Sequence, residues 1–307
     1  MIPLPPQFLK GSYPPVITPF LKNGDVDYAT YERLVDLQIQ GGSHGIVVNG
    51  TSAEPSVLTV GERQSLLEAA LRVAKGRVPV VAATGSQSHA ETVELTDHAT
   101  KHRADALMIV TPYYIRPPQR GLAAYYNDLG RRTDLPILMY HIPGRASVTV
   151  TLETLEQIAA ATPHFVGMKH AAPELGLVTE ALARFGFEFR IFVGLEELSF
   201  PMMAMGACGM VNAVSNIAPR QVADMYTAVA AGNMAEGRRL HFELFELNRS
   251  VFFDTNPIPI KYMAKKLGIL PGNYHRLPMM PATPDVERRL DAVLEAAKLG
   301  SHRVAAA

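Results

Sequence analysis

Eight short apolar runs, each followed by a longer polar-apolar stretch, constrain this chain more than any other feature. They are PPVITPF (14–20), GIVVNG (45–50), VPVVAATG (78–85), ALMIVTP (106–112), PILMYHIP (136–143), FVGMKHA (165–171), FRIFVG (189–194) and GMVNAVS (209–215). Strands covered on both faces read as continuous apolar runs, and strands alternating with helices through short loops build parallel βαβ units. Helix signals fill the gaps. Asp27 is placed to cap a helix that stops at Gly41-Gly42, and Thr59 with Glu62 has capping-box spacing ahead of a helix running to Gly76. Further helices are expected near 88–103, 119–132 and 151–161. The pattern predicts an α/β chain: a closed (β/α)₈ TIM barrel over residues 1–232, then a C-terminal helical extension over 233–307. That extension is expected to hold helices at 241–253 and 284–299 and a frayed tail at 305–307. A doubly wound open sheet is the rival topology, but its glycine-rich first turn has no counterpart in TPFLKNGDVD.

Charge and cysteine content narrow the function. Acidic and basic residues number 29 each and form no long block of one sign, which argues against nucleic-acid or anionic-membrane partners. The single cysteine, Cys208, excludes an internal disulfide framework and fits a reducing compartment. MIPLPPQFLKGS carries prolines where a signal peptide needs a basic start and an apolar run, and FPMMAMGACGMV (200–211) is too short to span a bilayer. The expectation is a cytoplasmic protein acting on small molecules, with no cofactor and no metal. His98 and His102 stand four apart in HATKH, but no carboxylate accompanies them as in the zinc-protease signature, so they read as solvated helix histidines. GACG (206–209) reads as a tight turn.

Barrels place their chemistry at the carboxyl ends of the strands. There this chain carries Thr18, Asn49-Gly50-Thr51-Ser52, Thr84, Thr111 with Tyr113 and Tyr114, Tyr140, Lys169, Gly194 with Glu196, and Asn212. Strict alternation puts Phe165, Gly167 and Lys169 on one face of the sixth run, with Val166, Met168 and His170 on the other. The same reasoning pairs Leu138 with Tyr140, so a phenol and an amine from adjacent strands face inward together. Gly167 is expected to leave room around the lysine. An amine held in an apolar pocket has its ammonium form disfavoured, and the neutral amine attacks a ketone to form an imine. A tyrosine within reach carries the protons. Taken alone, the segment equally allows a lysine that reaches out of the strand end to a surface carboxylate.

Five motifs in order supply a family resemblance. YHIPGR (140–145), VGMK (166–169), GTSAE (50–54), TPYYIRPPQRGL (111–122) and TNPIPIKYMAKKLGI (255–269) with RLPM (276–279) resemble the dihydrodipicolinate synthase and N-acetylneuraminate lyase family of Schiff-base lyases, nearest its synthase branch. The resemblance implies that Lys169 forms an imine with pyruvate and that Tyr140 relays protons through Thr51. Thr51 and Ser52 would hold the pyruvate carboxylate, and Tyr114 would complete the relay from a neighbouring subunit of a homotetramer. Gly194, Glu196, Val211 and Asn212 would line the substrate site, with Asn212 replacing the synthases' usual serine. Arg145 would meet the carboxylate of aspartate semialdehyde, a task suited to guanidinium. GLEEL (194–198) points another way, since it is similar to the sialic acid lyase acids that bind sugar hydroxyls; its plain alternative is an acidic helix start. His141 and Ala53 depart from the pattern and are expected to alter what the cavity admits. Val60 and Arg63 stand where lysine-inhibited synthases carry histidines, although Glu91 and Tyr113 match. The implied reaction is condensation of pyruvate with aspartate semialdehyde. The alternatives are cleavage or dehydration of a 2-oxo-3-deoxy sugar acid, or non-catalytic sensing of a 2-oxo acid.

Overall fold

The computed structural model describes residues 1–299; the tail expected at 305–307 lies outside them. Eight parallel strands form one sheet: β1 (Gly11–Ser12), β2 (Ile46–Val48), β3 (Val80–Ala83), β4 (Ala106–Val110), β5 (Ile137–His141), β6 (Phe165–His170), β7 (Arg190–Val193) and β8 (Gly209–Met210). Around them run α1 (Tyr28–Gln40), α2 (Val60–Ala74), α3 (His89–Lys101), α4 (Gln119–Gly130), a single turn α5 (Pro143–Ala146), α6 (Leu152–Ala161), α7 (Gly176–Phe185), α8 (Ser199–Ala204) and α9 (Pro219–Ala230). Four more follow: α10 (Met234–Glu243), α11 (Phe245–Ser250), α12 (Ile258–Lys266) and α13 (Pro284–Ala297). The strand order runs β1-β8-β7-β6-β5-β4-β3-β2. The ring closes where Pro15 bridges Val47, with Val47 N–H donating to Pro14 O and Val16 N–H to Val47 O.

Side-chain caps start the helices where the sequence places them. Asp27 accepts from Thr30 N–H, and Thr59 with Glu62 forms a complete capping box. Three expectations are corrected. The first strand is Gly11–Ser12 rather than 14–20, because Pro14 and Pro15 have no N–H to continue a ladder. The helix expected over 241–253 begins earlier, at Met234, where Asn233 accepts from Glu236 N–H, and runs through Leu244 to Ser250. Strict alternation also fails in β6. The register shifts at Ile137/Leu138, so Leu138 pairs with Gly167 and one extra residue enters β6. Val166 therefore joins Leu138 and Tyr140 inside the barrel, while Phe165 and Met168 pack outward against the helices.

Val47, Val81, Met108, Leu138, Val166 and Phe192 fill the barrel interior. Its floor is closed by the N-terminal segment over the fully buried Arg190, whose Nε donates to Phe8 O and whose Nη1 pairs with Glu188. The C-terminal helices are tied to the opposite rim. Lys261 of α12 donates to Glu54 at 2.8 Å, both side chains being buried, and Arg276 grips both oxygens of Glu62. Among the described residues, no helix is long and apolar enough to cross a membrane.

Candidate active site

The loop after β2 is a single helical turn, Thr51–Ala53, bracketed by left-handed Asn49 (φ 60°) and Glu54 (φ 58°). Left-handed backbone is costly outside glycine and asparagine, so Glu54 needs fixing from outside. It is fixed by Lys261 and by His275 Nδ1 at 3.3 Å. Burial opposes its charge, but these two partners hold the carboxyl below its ordinary range. Asn49 Nδ2 donates to Arg63 O, and Thr18 Oγ1 donates to Ala53 O, each at 2.8 Å. The turn is thus held rigid at the mouth of the barrel.

Beside it, Lys169 and Tyr140 are cross-strand partners on β6 and β5. Lys169 is only 5% exposed, and its Nζ lies 4.2 Å above the centre of the Tyr140 ring. The Tyr140 hydroxyl lies 3.2 Å from Thr51 Oγ1. The lysine occupies a small chamber of about 40 Å³, lined among others by Thr51, Ser52, Gly194, Glu196 and Val211. This chamber adjoins a cavity of about 440 Å³ that shares Thr51, Tyr140, Arg145 and Asn256 and extends to Asn49 and Tyr113. Snorkelling to a surface carboxylate is excluded by this placement.

Gly194, not Gly167, makes room for the lysine. A Cβ on Gly194 would lie 2.8 Å from Lys169 Cε, whereas one on Gly167 would strike the Arg190 carbonyl oxygen at 2.0 Å. The space at Gly167 is taken by the backbone of β7. Arg145, exposed on the turn α5, stands at the mouth of the cavity, and its Nη2 approaches Asn256 O at 3.4 Å. Ser52 Oγ accepts from Asn256 Nδ2 at 3.1 Å, which leaves its own hydrogen free for a ligand. Asn256 was not singled out from sequence. It lies 204 positions from Ser52, with no local signal beyond its place in the TNPIPIK run.

Glu196 is buried and takes a hydrogen bond from Ala213 N–H to Oε1 at 2.6 Å, while Oε2 has no partner. Burial raises its carboxyl above the ordinary range, against that hydrogen bond. It also opens a single helical turn, Glu196–Leu198, as an acidic helix start does. Three expected residues lie elsewhere. Asn212 turns behind the wall and donates to Ser199 Oγ at 2.8 Å. Tyr114 is 86% exposed and lines neither chamber of its own chain. His141 faces the helices: Val150 N–H donates to its Nε2, which puts its proton on Nδ1, aimed at His170 Nδ1 at 3.2 Å. His170 in turn donates from Nε2 to Glu174 O at 2.9 Å. His141 is thus structural and does not shape the cavity. Cys208 is buried at the barrel floor, where burial pushes its thiol up to about 12, as suits an inert core residue.

The model of the dihydrodipicolinate synthetase family matches residues 8–297. The chain belongs to that family. A 4-hydroxy-tetrahydrodipicolinate synthase of Thermus thermophilus is 40% identical over 287 residues, covering 93% of this chain and 95% of the relative. The crystal structure of the dihydrodipicolinate synthase from Aquifex aeolicus superposes with a TM-score of 0.92 at 34% identity, over 95% of this chain and 99% of that one. An Acinetobacter baumannii dihydrodipicolinate synthase crystallised in complex with pyruvate superposes with a TM-score of 0.91 at 31% identity, over 95% and 99% of the two chains. Family membership makes this a Schiff-base lyase on a TIM barrel, acting on small molecules.

Proposed function

We propose that this chain condenses pyruvate with aspartate semialdehyde, as a 4-hydroxy-tetrahydrodipicolinate synthase. The observation that carries the reading is the buried Lys169 amine over the Tyr140 ring, with the phenol hydroxyl in reach of Thr51. The Lys169 nitrogen attacks C2 of pyruvate and the ketone oxygen takes a proton. Loss of water leaves an iminium, and removal of a C3 proton gives an enamine. C3 then bonds to the aldehyde carbon, whose oxygen takes a proton. The amino nitrogen of the semialdehyde, having given up a proton, adds to C2, which closes the ring and expels the Lys169 amine. Tyr140 is placed to move these protons, with Thr51 next in line. Thr51 and Ser52 hold the pyruvate carboxylate through their hydroxyls and through the N–H groups that open their helical turn, which have no partner within it. This localises C2 beside the amine.

The 440 Å³ cavity leaves space for a second substrate, and Arg145 at its mouth suits a carboxylate. The partnerless Oε2 of Glu196 supports a second reading, in which a hydroxylated aldehyde or 2-oxo-3-deoxy sugar acid donates to or accepts from that carboxyl. We place the reaction in the cytoplasm and the chain in a homotetramer, in which the exposed Tyr114 enters a neighbour's site.

Pyruvate with borohydride should add one reduced pyruvyl mass at Lys169, absent from Lys169→Ala. Arg145→Ala should trap pyruvate nearly as well as the wild type while losing turnover with aspartate semialdehyde by about 10²-fold or more. No adduct would leave a 2-oxo acid binder; equal loss in both assays would move the semialdehyde carboxylate away from Arg145; sugar-acid turnover surpassing semialdehyde turnover would favour the Glu196 reading.

A further inference from the structure

His98 and His102, set aside from sequence for want of a carboxylate, receive one from another helix. Glu68 of α2 presents Oε1 to both rings, 3.0 Å from His98 Nε2 and 3.9 Å from His102 Nε2. The ligand atoms of all three residues lie within 4.8 Å of one another. The two imidazoles, four apart on α3 and at its C-cap, stack with centroids 4.1 Å apart and planes 19° from parallel, so both Nε2 atoms face the same carboxylate. A zinc ion binds imidazole nitrogen and carboxylate oxygen at about 2.0–2.2 Å, which brings tetrahedral ligand atoms roughly 3.3–3.5 Å from each other. The two carboxylate–imidazole separations straddle that range, and the rings tilt out of their stack so that both in-plane lone pairs meet at one ion.

We propose that Glu68, His98 and His102 form a surface site for a borderline divalent transition cation, zinc foremost. Two nitrogens and one oxygen suit zinc better than magnesium or calcium, which prefer oxygen alone. The partly exposed side chains leave the remaining coordination positions to water. The ion displaces the proton that His98 Nε2 now shares with Glu68. It joins α2 to α3, which are otherwise linked on this face by the histidine–carboxylate contacts and by Gln64 Nε2 donating to Glu94 one turn away. The site is remote from the imine chemistry: helices of a βα unit run back against their strands, so the last turn of α3 lies by the amino ends of the strands, whereas Lys169 works at the carboxyl ends.

The test is a zinc competition titration with a chromophoric chelator on the full, untagged chain, followed by thermal melts with and without zinc. One zinc per chain and a raised melting temperature are expected. His98→Ala with His102→Ala should weaken binding by about tenfold or more and remove the thermal gain. Glu68→Gln should weaken it while keeping the metal-free melt of the wild type, and His89→Ala, on the same helix, should leave binding unchanged. Wild-type chain that retains no zinc, or zinc binding that persists undiminished in the double-histidine variant, overturns the proposal. Pyruvate trapping at Lys169 should be the same with and without zinc, which separates this site from the catalytic reading.

Discussion

Gly194 and Lys169 cannot both carry a side chain where β7 passes β6. A methyl on Gly194 would sit 2.8 Å from Lys169 Cε and 2.7 Å from Ala171 Cβ. Ala171 cannot yield without moving backbone, so both the end of β6 and the lysine on it have to shift. A displacement of that order costs about 10²-fold in a reaction that depends on near-attack geometry. Gly194→Ala should therefore keep a folded circular-dichroism spectrum while trapping pyruvate about 10²-fold more slowly; trapping at the wild-type rate would refute this role. At this scale the sequence was informative in part. Lys169 and Tyr140 share the interior because each lies at a strand end with its neighbour two residues back on the same face. Gly167 misled, because alternation says which face a residue takes but not how close the next strand comes.

Between β5 and β6, the outward pair His141 and His170 ties the strand bearing the phenol to the strand bearing the lysine. Burial, then the neighbouring His170, lowers the His141 ring from 6.5 to about 4, and burial lowers His170 as well. The sign follows directly. Between pH 6.5 and about 4 the unfolded chain binds a proton at His141 that the folded chain refuses, so stability falls as pH drops through that window. Urea midpoints measured at neutral pH and near pH 5 should show that drop, and in His141→Asn it should be visibly smaller. An unchanged drop would mean that other groups set the slope. The helix caps at Asp27, Thr59 and Asn233 were local signals, and the first two were legible. The β6 bulge was not, since it is a relation between two strands and leaves no mark on either alone.

For the whole molecule, the exposed Tyr114 on the rim bears on assembly. Its φ of 73° turns the backbone outward after β4, and its ring lines no chamber of its own chain. If it completes a neighbour's proton relay, chains carrying Tyr114→Phe and chains carrying Lys169→Ala should each have low activity. Refolded together, they should regain part of it, because some sites then combine an intact lysine with an intact neighbouring tyrosine. Mixtures no more active than the two variants apart would place Tyr114 outside the reaction.

The run of strand and helix signals determined the barrel, and strand-end chemistry with side-chain parity determined the facing amine and phenol. Both depend on backbone geometry within a few residues, which a linear pattern records. Only the folded ring decided that Asn256 meets Ser52, that Lys261 meets Glu54 across 207 positions, that Glu68 joins His98, and that Gly194 is the glycine the lysine needs. Those contacts depend on register, on a bulge and on how the C-terminal helices pack across the rim, and none of these is written in the periodicity of a single segment.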